Sequence, residues 1–517
     1  MSIFRGHPKG LYGAALSNMG ERFGFYVMMA ILLLFLMAKF GLESTQAMVI
    51  YAVFYVLIYA LSLVGGKIAD KTKKYKSTIL IGIVMMTVGY LIISIPTPTP
   101  VPNLPLFMAL TCFGLFVIAF GNGLFKGNLQ AVVGQMYDNK EYADKRDSGF
   151  QLFYMFINVG SMFSPIMAVL MRNWWVGRNG FTYNSDLPAL CHGHLNGTLT
   201  PEATNRLTDL ATQVSVNYQF TDLTLFANNY LNVFTTGFHY AFAIAIGAMI
   251  ISLVIYLRNR ARFPDPADKK AATGEQAAEI QMSVQEIKQR LYALFAIFSV
   301  VIFFWYSLNS AGATLTLFAK DYVDLSKIAL FGGLFKGAEV FQIFNPLFVV
   351  FLTPVIVAFF GWLKAKGKEP STPKKITIGM GITGLAFVIM LVSALALPDK
   401  AEVTAMGGLP EALRVSPFIL IGTYFIITIG ELFISPLGIS FVSKIAPPKY
   451  QGLMQGCWLS AAGVGNLLLI LGTLFYEKLP AWGIWAINVG VCLTAMFILM
   501  FMLKWLERVA DDAAASK

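Results

Sequence analysis

The chain has 517 residues, 56% of them hydrophobic, 14% aromatic and 13% charged. Soluble globular proteins carry about 25% charged residues, so a chain this long with half that share lacks the polar surface of a soluble enzyme. Its 39 Lys and Arg against 28 Asp and Glu leave a net charge of +11, which suits either nucleic acid or a membrane until the bases are placed. Four cysteines, Cys112, Cys191, Cys457 and Cys492, are too few and too scattered for a disulfide framework or a zinc motif. No short apolar region with a small-residue cleavage site marks a removable signal peptide, and the first apolar run reads as a retained span.

A helix needs about 20 apolar residues to cross the hydrocarbon core. Twelve runs of that size are predicted, the first six near 14–38, 47–68, 77–95, 105–126, 150–171 and 237–257. The second six lie near 291–318, 338–363, 376–397, 415–440, 452–475 and 481–504. Backbone polar groups in lipid must be satisfied within the segment, so these spans are helices. The expected architecture is an all-α integral membrane protein with an N-terminal six-helix bundle over 1–257 and a C-terminal one over 291–517. Between them lies a polar linker, 258–290, with Pro264, Pro266, Ala271, Ala272 and an amphipathic stretch. With both termini inside, about 27 of the 39 bases fall on the cytoplasmic side and about 10 outside, with Arg22 and Lys126 left within spans. The positive-inside rule supports that orientation and a multi-pass place in the plasma (inner) membrane. Nucleic acid drops out as a partner.

The segment 172–236, between spans five and six, is a polar insertion on the outer side with Trp174, Trp175, Cys191, His192, His194 and the sequon Asn196-Gly197-Thr198. The Cys-His-Gly-His run lacks further ligands nearby, so no metal is expected there. No cofactor is expected anywhere in the chain.

Two six-helix halves joined by a polar loop resemble the layout of the major facilitator superfamily. The junction Gly65-Gly66-Lys67-Ile68-Ala69-Asp70-Lys71 is similar to that superfamily's turn between its second and third helices. Glycine there permits close helix approach, and Asp70 is suited to cap a helix N-terminus or pair with a base. Four further stretches resemble the proton-dependent oligopeptide transporter family. They are Glu21-Arg22-Phe23-Gly24-Phe25-Tyr26, Gly121-Asn122-Gly123-Leu124-Phe125-Lys126-Gly127-Asn128, Phe153-Tyr154-Met155-Phe156-Ile157-Asn158-Val159-Gly160-Ser161 after Arg146-Asp147-Ser148-Gly149-Phe150, and Gly430-Glu431-Leu432-Phe433-Ile434-Ser435-Pro436-Leu437-Gly438. Asn345-Pro346 and Trp458 also fall where family residues are expected. The resemblance covers nearly the whole chain apart from 172–236. Many bacterial members carry two extra helices between the halves, which the short polar linker here does not accommodate.

The charges in the spans carry weight without the resemblance. An ionisable group in a span costs at least about 2.5–3.5 kcal/mol, so it faces a cavity or a partner. Glu21, Arg22 and Lys126 lie in the first half and Glu431 in the second. A zwitterionic peptide needs a basic wall for its carboxylate and an acidic wall for its ammonium. A ligand bridging the two halves is what alternating access at a midplane site requires. The resemblance adds Tyr26, Tyr59, Asn158, Asn345 and Ser435 as polar contacts, and Trp305 and Trp458 as pocket walls. Aromatic residues in helices serve packing as readily as pockets, and Tyr55 is read as packing.

The chain departs from the family pattern at Asn18, Phe25, Met29 and Asn309, where the resemblance leads one to expect Glu, Tyr, Arg and an acid. The expected Arg and acid are missing together, which avoids stranding one buried charge. Asn309 keeps its place in the expected site as a neutral contact. Proton coupling is expected to rest on Glu21, with Glu431 as the second group, and peptide on Arg22, Lys126 and Glu431. His239 is expected at the outer edge of span six as an interface residue. The resemblance implies import of di- and tripeptides by proton symport. The alternatives are a facilitative or weakly proton-coupled carrier of another amine-bearing or anionic small molecule, and a non-transporting peptide sensor. An integral-membrane enzyme is not expected, since no metal spacing, P-loop or Ser-His set occurs in the spans. The sequence is silent on the oligomeric state.

Overall fold

Apolar runs with no water to bond their backbones close those bonds internally, and helices account for most of the described residues. The computed structural model describes residues 4–216, 222–265, 282–324, 341, 343–405, 409–468 and 479–515. The spanning helices in chain order are α1 (Lys9–Phe40), α2 (Ser44–Thr72), α3 (Tyr75–Ser94), α4 (Leu104–Met136), α5 (Arg146–Arg178) and α6 (Leu223–Asn259). The second set is α7 (Val284–Tyr322), α8 (Phe344–Ala365), α9 (Thr372–Ala394), α10 (Pro417–Ile445), α11 (Gln451–Leu467) and α12 (Gly483–Ala515). Eleven of these are long and apolar enough to cross a bilayer. α11 is described for 17 residues, and the remainder of its predicted run, from 469 on, lies outside the described residues. Pro266, Ala271 and Ala272 of the linker lie outside them too.

Several helices overrun the predicted spans. α4 continues ten residues past 126, to Met136, and α6 begins at Leu223 rather than near 237. Hydropathy marks only the lipid-facing part of a helix, and its polar ends lie beyond that window. One consequence corrects the placing of His239, which sits well inside α6. It is buried, its Nδ1 donates to the Ile93 carbonyl at 2.8 Å, and its ring lies 5.2 Å from Phe35.

Within the first half, α1 packs on α5 and α6, α3 on α4 and α6, and α2 on α4. In the second half, α9 packs on α10 and α12, and α7 on α11 and α12. The halves meet where α2 and α4 pack on α11 and where α5 packs on α8 and α10. Two consecutive glycines let α2 serve both neighbours. A Cβ on Gly65 would lie 2.0 Å from the Gly123 carbonyl oxygen of α4, and one on Gly66 would lie 2.3 Å from the Gly452 oxygen of α11. Only glycine permits both approaches.

The insertion is a built cap. Because α5 runs to Arg178 and α6 starts at Leu223, its core is shorter than 172–236 and holds helices Leu187–Leu195 and Pro201–Val214. The Thr182 amide donates to the Val214 carbonyl at 2.8 Å and Val216 to Gly180 at 3.0 Å, which closes the cap's base. Cys191 is buried, His192 Nε2 donates to the Ala38 carbonyl at 2.8 Å, and His194 reaches Thr224 Oγ1 at 3.1 Å. The cap is thereby tied to the end of α1 and the start of α6. Burial pushes the His192 imidazole below its ordinary pKa. Among the described residues no three His, Cys, Asp or Glu side chains gather as a metal site would need.

Candidate binding cavity

Each charge in the spans has a distinct surrounding. On α1, Arg22 Nε donates to Glu21 Oε2 at 2.5 Å and its Nη2 to Oε1, a two-pronged pair. Asn122 Nδ2 of α4 adds a bond to Glu21 Oε1 at 2.7 Å. The guanidinium lies 4.4 Å from the centroid of Phe25 and 6.0 Å from that of Tyr26. Lys126 sits one helical turn after Asn122, with its Nζ 5.9 Å from the Tyr59 ring centroid. Among the described residues no carboxylate pairs with Lys126. Across the molecule, Glu431 of α10 accepts from Tyr154 Oη at 2.5 Å and from Asn345 Nδ2 at 2.6 Å. Asn345 also donates to Thr428 Oγ1 at 3.2 Å.

These poles face one cavity of about 760 Å³ between the halves, within the usual range of about 300–1,000 Å³ for small-molecule sites. Arg22, Tyr26, Tyr59, Lys126 and Asn158 line it from the first half. Trp305, Asn309, Asn345, Glu431, Ser435 and Trp458 line it from the second. Glu21 does not line it: at 1% exposure it stands behind Arg22 and touches the cavity only through that guanidinium. The sequence reading missed Tyr51, Tyr55, Gln130, Tyr154, Tyr424 and Asn466, all of which line the cavity. Trp305 Nε1 and the Tyr424 hydroxyl are buried in these walls without a hydrogen-bond partner among the described residues. Buried polar atoms of that kind call for a partner.

The cavity is sealed at the end that carries both termini. Asp70, at the end of α2, accepts from the Gly452 and Leu453 amides at 2.8 Å each, and so caps α11 of the opposite half. Asp147 of α5 accepts from Lys375 Nζ at 2.9 Å, Thr372 Oγ1 at 3.0 Å and Ser440 Oγ at 2.6 Å. Lys375 is held in turn by Glu369 at 2.7 Å. Arg146 Nη1 donates to Ser443 Oγ at 2.8 Å, and Gln135 Nε2 to Gln451 Oε1 at 2.8 Å.

The opposite end is held by neutral groups. The cavity runs outward past Tyr51 to Met48 near the start of α2. Asn309 Nδ2 donates to Asn466 Oδ1, and Asn466 Nδ2 to the Tyr55 hydroxyl at 3.2 Å. Tyr59 in turn donates to Tyr55 at 3.3 Å. Tyr55, read as packing, therefore lines the cavity and joins an amide–hydroxyl chain between α2, α11 and α7. Asn18 is buried on α1, away from the lining, and its Oδ1 has no partner among the described residues.

The chain is similar to several known proteins. A dipeptide and tripeptide permease B of Xenorhabdus bovienii is 25% identical over 521 residues, covering 98% of this chain and 97% of its own. A peptide transporter of Yersinia enterocolitica is 29% identical over 486 residues, covering 90% of this chain and 87% of its own. Among solved structures, a peptide transporter crystallised with sulfate aligns over 98% of this chain and 96% of that one, with 23% identity and a TM-score of 0.59. A transporter crystallised with 5-aminolevulinic acid aligns over 98% of both chains, with 22% identity and a TM-score of 0.59. The last two likenesses establish the fold. The POT family model matches residues 76–280 and 267–482, most of the chain, and the protein belongs to the POT family.

Proposed function

We propose that this protein imports di- and tripeptides by proton symport, alternating access between the two faces of the plasma membrane, with both termini in the cytoplasm. The observation that carries the reading is the two-poled cavity. Lys126, with no carboxylate partner among the described residues, and the Glu21-paired Arg22 stand on one half, and Glu431 stands on the other among neutral donors. A peptide carboxylate fits Lys126 and Arg22, and its ammonium fits Glu431. The relatives named as peptide transporters support the substrate class. With the terminus-bearing end cytoplasmic, the cavity faces outward and is sealed inside.

Coupling follows from the same contacts. Arg22 and Asn122 stabilise the Glu21 carboxylate. A peptide carboxylate that draws Arg22 toward the cavity removes Glu21's counter-charge, and a proton on Glu21 then replaces it. Glu431 is the second proton site, exposed to the cavity when the ammonium leaves. The test is uptake of labelled dipeptides into proteoliposomes with and without an inward proton gradient. The proposal requires saturable uptake, accumulation that depends on the gradient, and loss of that accumulation in Glu21→Gln with exchange retained. Glu21→Gln vesicles that still accumulate peptide against a gradient overturn the coupling role. Absence of saturable peptide uptake overturns the substrate class.

One observation favours a second reading, a facilitative carrier. Asn309 is neutral and bonded to Asn466, so one titratable group that the family resemblance leads one to expect is absent from the cavity wall. Saturable peptide uptake indifferent to the proton gradient selects that reading.

A further inference from the structure

A second cavity lies far from the first, where the α2–α3 turn meets the end of α6. It measures about 570 Å³ and is lined by Lys74, Lys76, Ser77, Leu257, Arg260 and Asp265, together with Ala261. We propose that it binds the phosphate headgroup of an anionic phospholipid, which seats its acyl chains along α3 and α6.

Three observations carry the assignment. The first is charge: among the described residues three bases face the cavity against one carboxylate, a balance of +2. The carboxylate is engaged, because Asp265 Oδ2 accepts the Lys76 backbone amide at 3.2 Å. The second is availability. Arg260 Nη2 donates to Ser77 Oγ at 3.3 Å, a long bond to a neutral acceptor that a phosphate oxygen readily replaces with a bond to an anion. Lys74 is exposed and reaches the same space. The third is the apolar wall. Leu257 lines the cavity and is 48% exposed, and it begins a stripe of exposed aliphatics, Val254 and Ile250, down α6. Ile81 and Val84 present a second exposed stripe on α3, which packs against α6. Tyr256 Oη donates to the Lys76 carbonyl at 2.8 Å and pins the start of α3 to α6 beneath the site.

A free phosphate gains nothing from Leu257 and the stripes below it. A zwitterionic lipid brings its own cation up to three bases. An anionic glycerophospholipid satisfies both features, and basic pockets between helices at a membrane surface are suited to such headgroups.

The test is equilibrium binding of phosphatidylglycerol by the full chain in neutral detergent, followed by native mass spectrometry and by thermal stabilisation. Phosphatidylcholine and inorganic phosphate serve as the comparison probes. Each basic residue at an anionic surface contributes about fivefold in affinity. Lys74→Gln should weaken phosphatidylglycerol binding about fivefold, and Lys74→Gln with Arg260→Gln about 25-fold. The double control Lys368→Gln with Lys449→Gln, exposed bases away from the cavity, should stay within twofold of the unaltered protein. Should the Arg260 variant fail to fold, Lys74→Gln alone decides, since its side chain is exposed. Equal losses in the control pair, unchanged binding in Lys74→Gln, or equal stabilisation by inorganic phosphate each overturn the proposal. The first outcome means diffuse surface attraction, and the last means a free-anion site.

Discussion

The seal at the terminus-bearing end makes Asp70→Asn the most informative single change. Asp70 is 6% exposed, and its two oxygens take the amides of Gly452 and Leu453, two of the first-turn donors of α11 that have no partner within their own helix. Each is a hydrogen bond to a charged acceptor, worth about 1.5–3 kcal/mol. Asparagine has the same size but one acceptor. It keeps one bond in a weaker neutral form and turns a donor toward the second amide. The closed end should therefore lose about 2 kcal/mol, which shifts the open-to-closed ratio about 30-fold toward opening at that end. Double electron–electron resonance between labels at the exposed Asn139 and Lys449 reads the change as a new, longer distance. Tyr75→Phe is the comparison, because it removes a hydroxyl that bonds Asp70 and reaches the Gly452 amide while leaving both carboxylate oxygens in place. Identical distance distributions for the unaltered protein and Asp70→Asn would show that the cap does not hold the end shut. Equal shifts for Tyr75→Phe, which keeps the carboxylate, would show that the Asp70 charge is not what holds the end shut.

Three further outcomes are expected. Gly66→Ala puts a Cβ 2.3 Å from the Gly452 oxygen, so it should block closure at the same end at least as strongly as Asp70→Asn, seen in the same distance measurement and in lost uptake. Glu431→Gln removes the acidic pole and keeps one acceptor oxygen where the carboxylate offers Tyr154 and Asn345 one each; a preference for free over N-acetylated dipeptides, worth about 10- to 150-fold from one charge-assisted bond, should collapse toward parity in competition assays. His192 has its pKa lowered by burial, so the unfolded chain takes up a proton more readily than the folded one. Its contribution is present above the ordinary histidine pKa and falls away as pH drops below it. Between pH 7.5 and 5, His192→Gln should lose less melting temperature than the unaltered protein.

What the sequence makes legible is what lipid makes expensive. Arg22, Lys126 and Glu431 stand out because a charge in an apolar run demands a reason, and all three line one cavity. The neutral wall is another matter. Tyr51, Tyr55, Tyr424 and Asn466 are side chains that pack helices everywhere, and only the rotation of each helix decides which of them faces the cavity. Tyr154 lies inside a stretch that the sequence reading singled out, yet its bond to Glu431 needs α5 and α10 to meet. Glu21 shows the reverse: the sequence places it beside Arg22, while adjacent positions on a helix diverge by about 100°, so one lines the cavity and the other stands behind it. The cap over 172–236 was opaque because its order comes from contacts with α1 and α6 rather than from any motif of its own.

The two ends of the molecule differ in kind, and that difference bears on turnover. At the terminus-bearing end the seam holds carboxylates against a helix N-terminus, an ammonium and hydroxyls. At the other end it holds amides against phenols. Neutral bonds contribute about 0.5–1.5 kcal/mol each and bonds to charged groups about twice that, so the empty protein is expected to rest with the terminus-bearing end shut. A ligand reverses that bias only through contacts it makes better in the other state. The pairing missing at Met29 and Asn309 then has a consequence. Among the described residues no ion pair closes the cavity mouth, so on the proposed reading closure there depends on a ligand that bridges Arg22 and Lys126 to Glu431. The same substitution that removes a titratable group ties closure of that end more tightly to the presence of cargo.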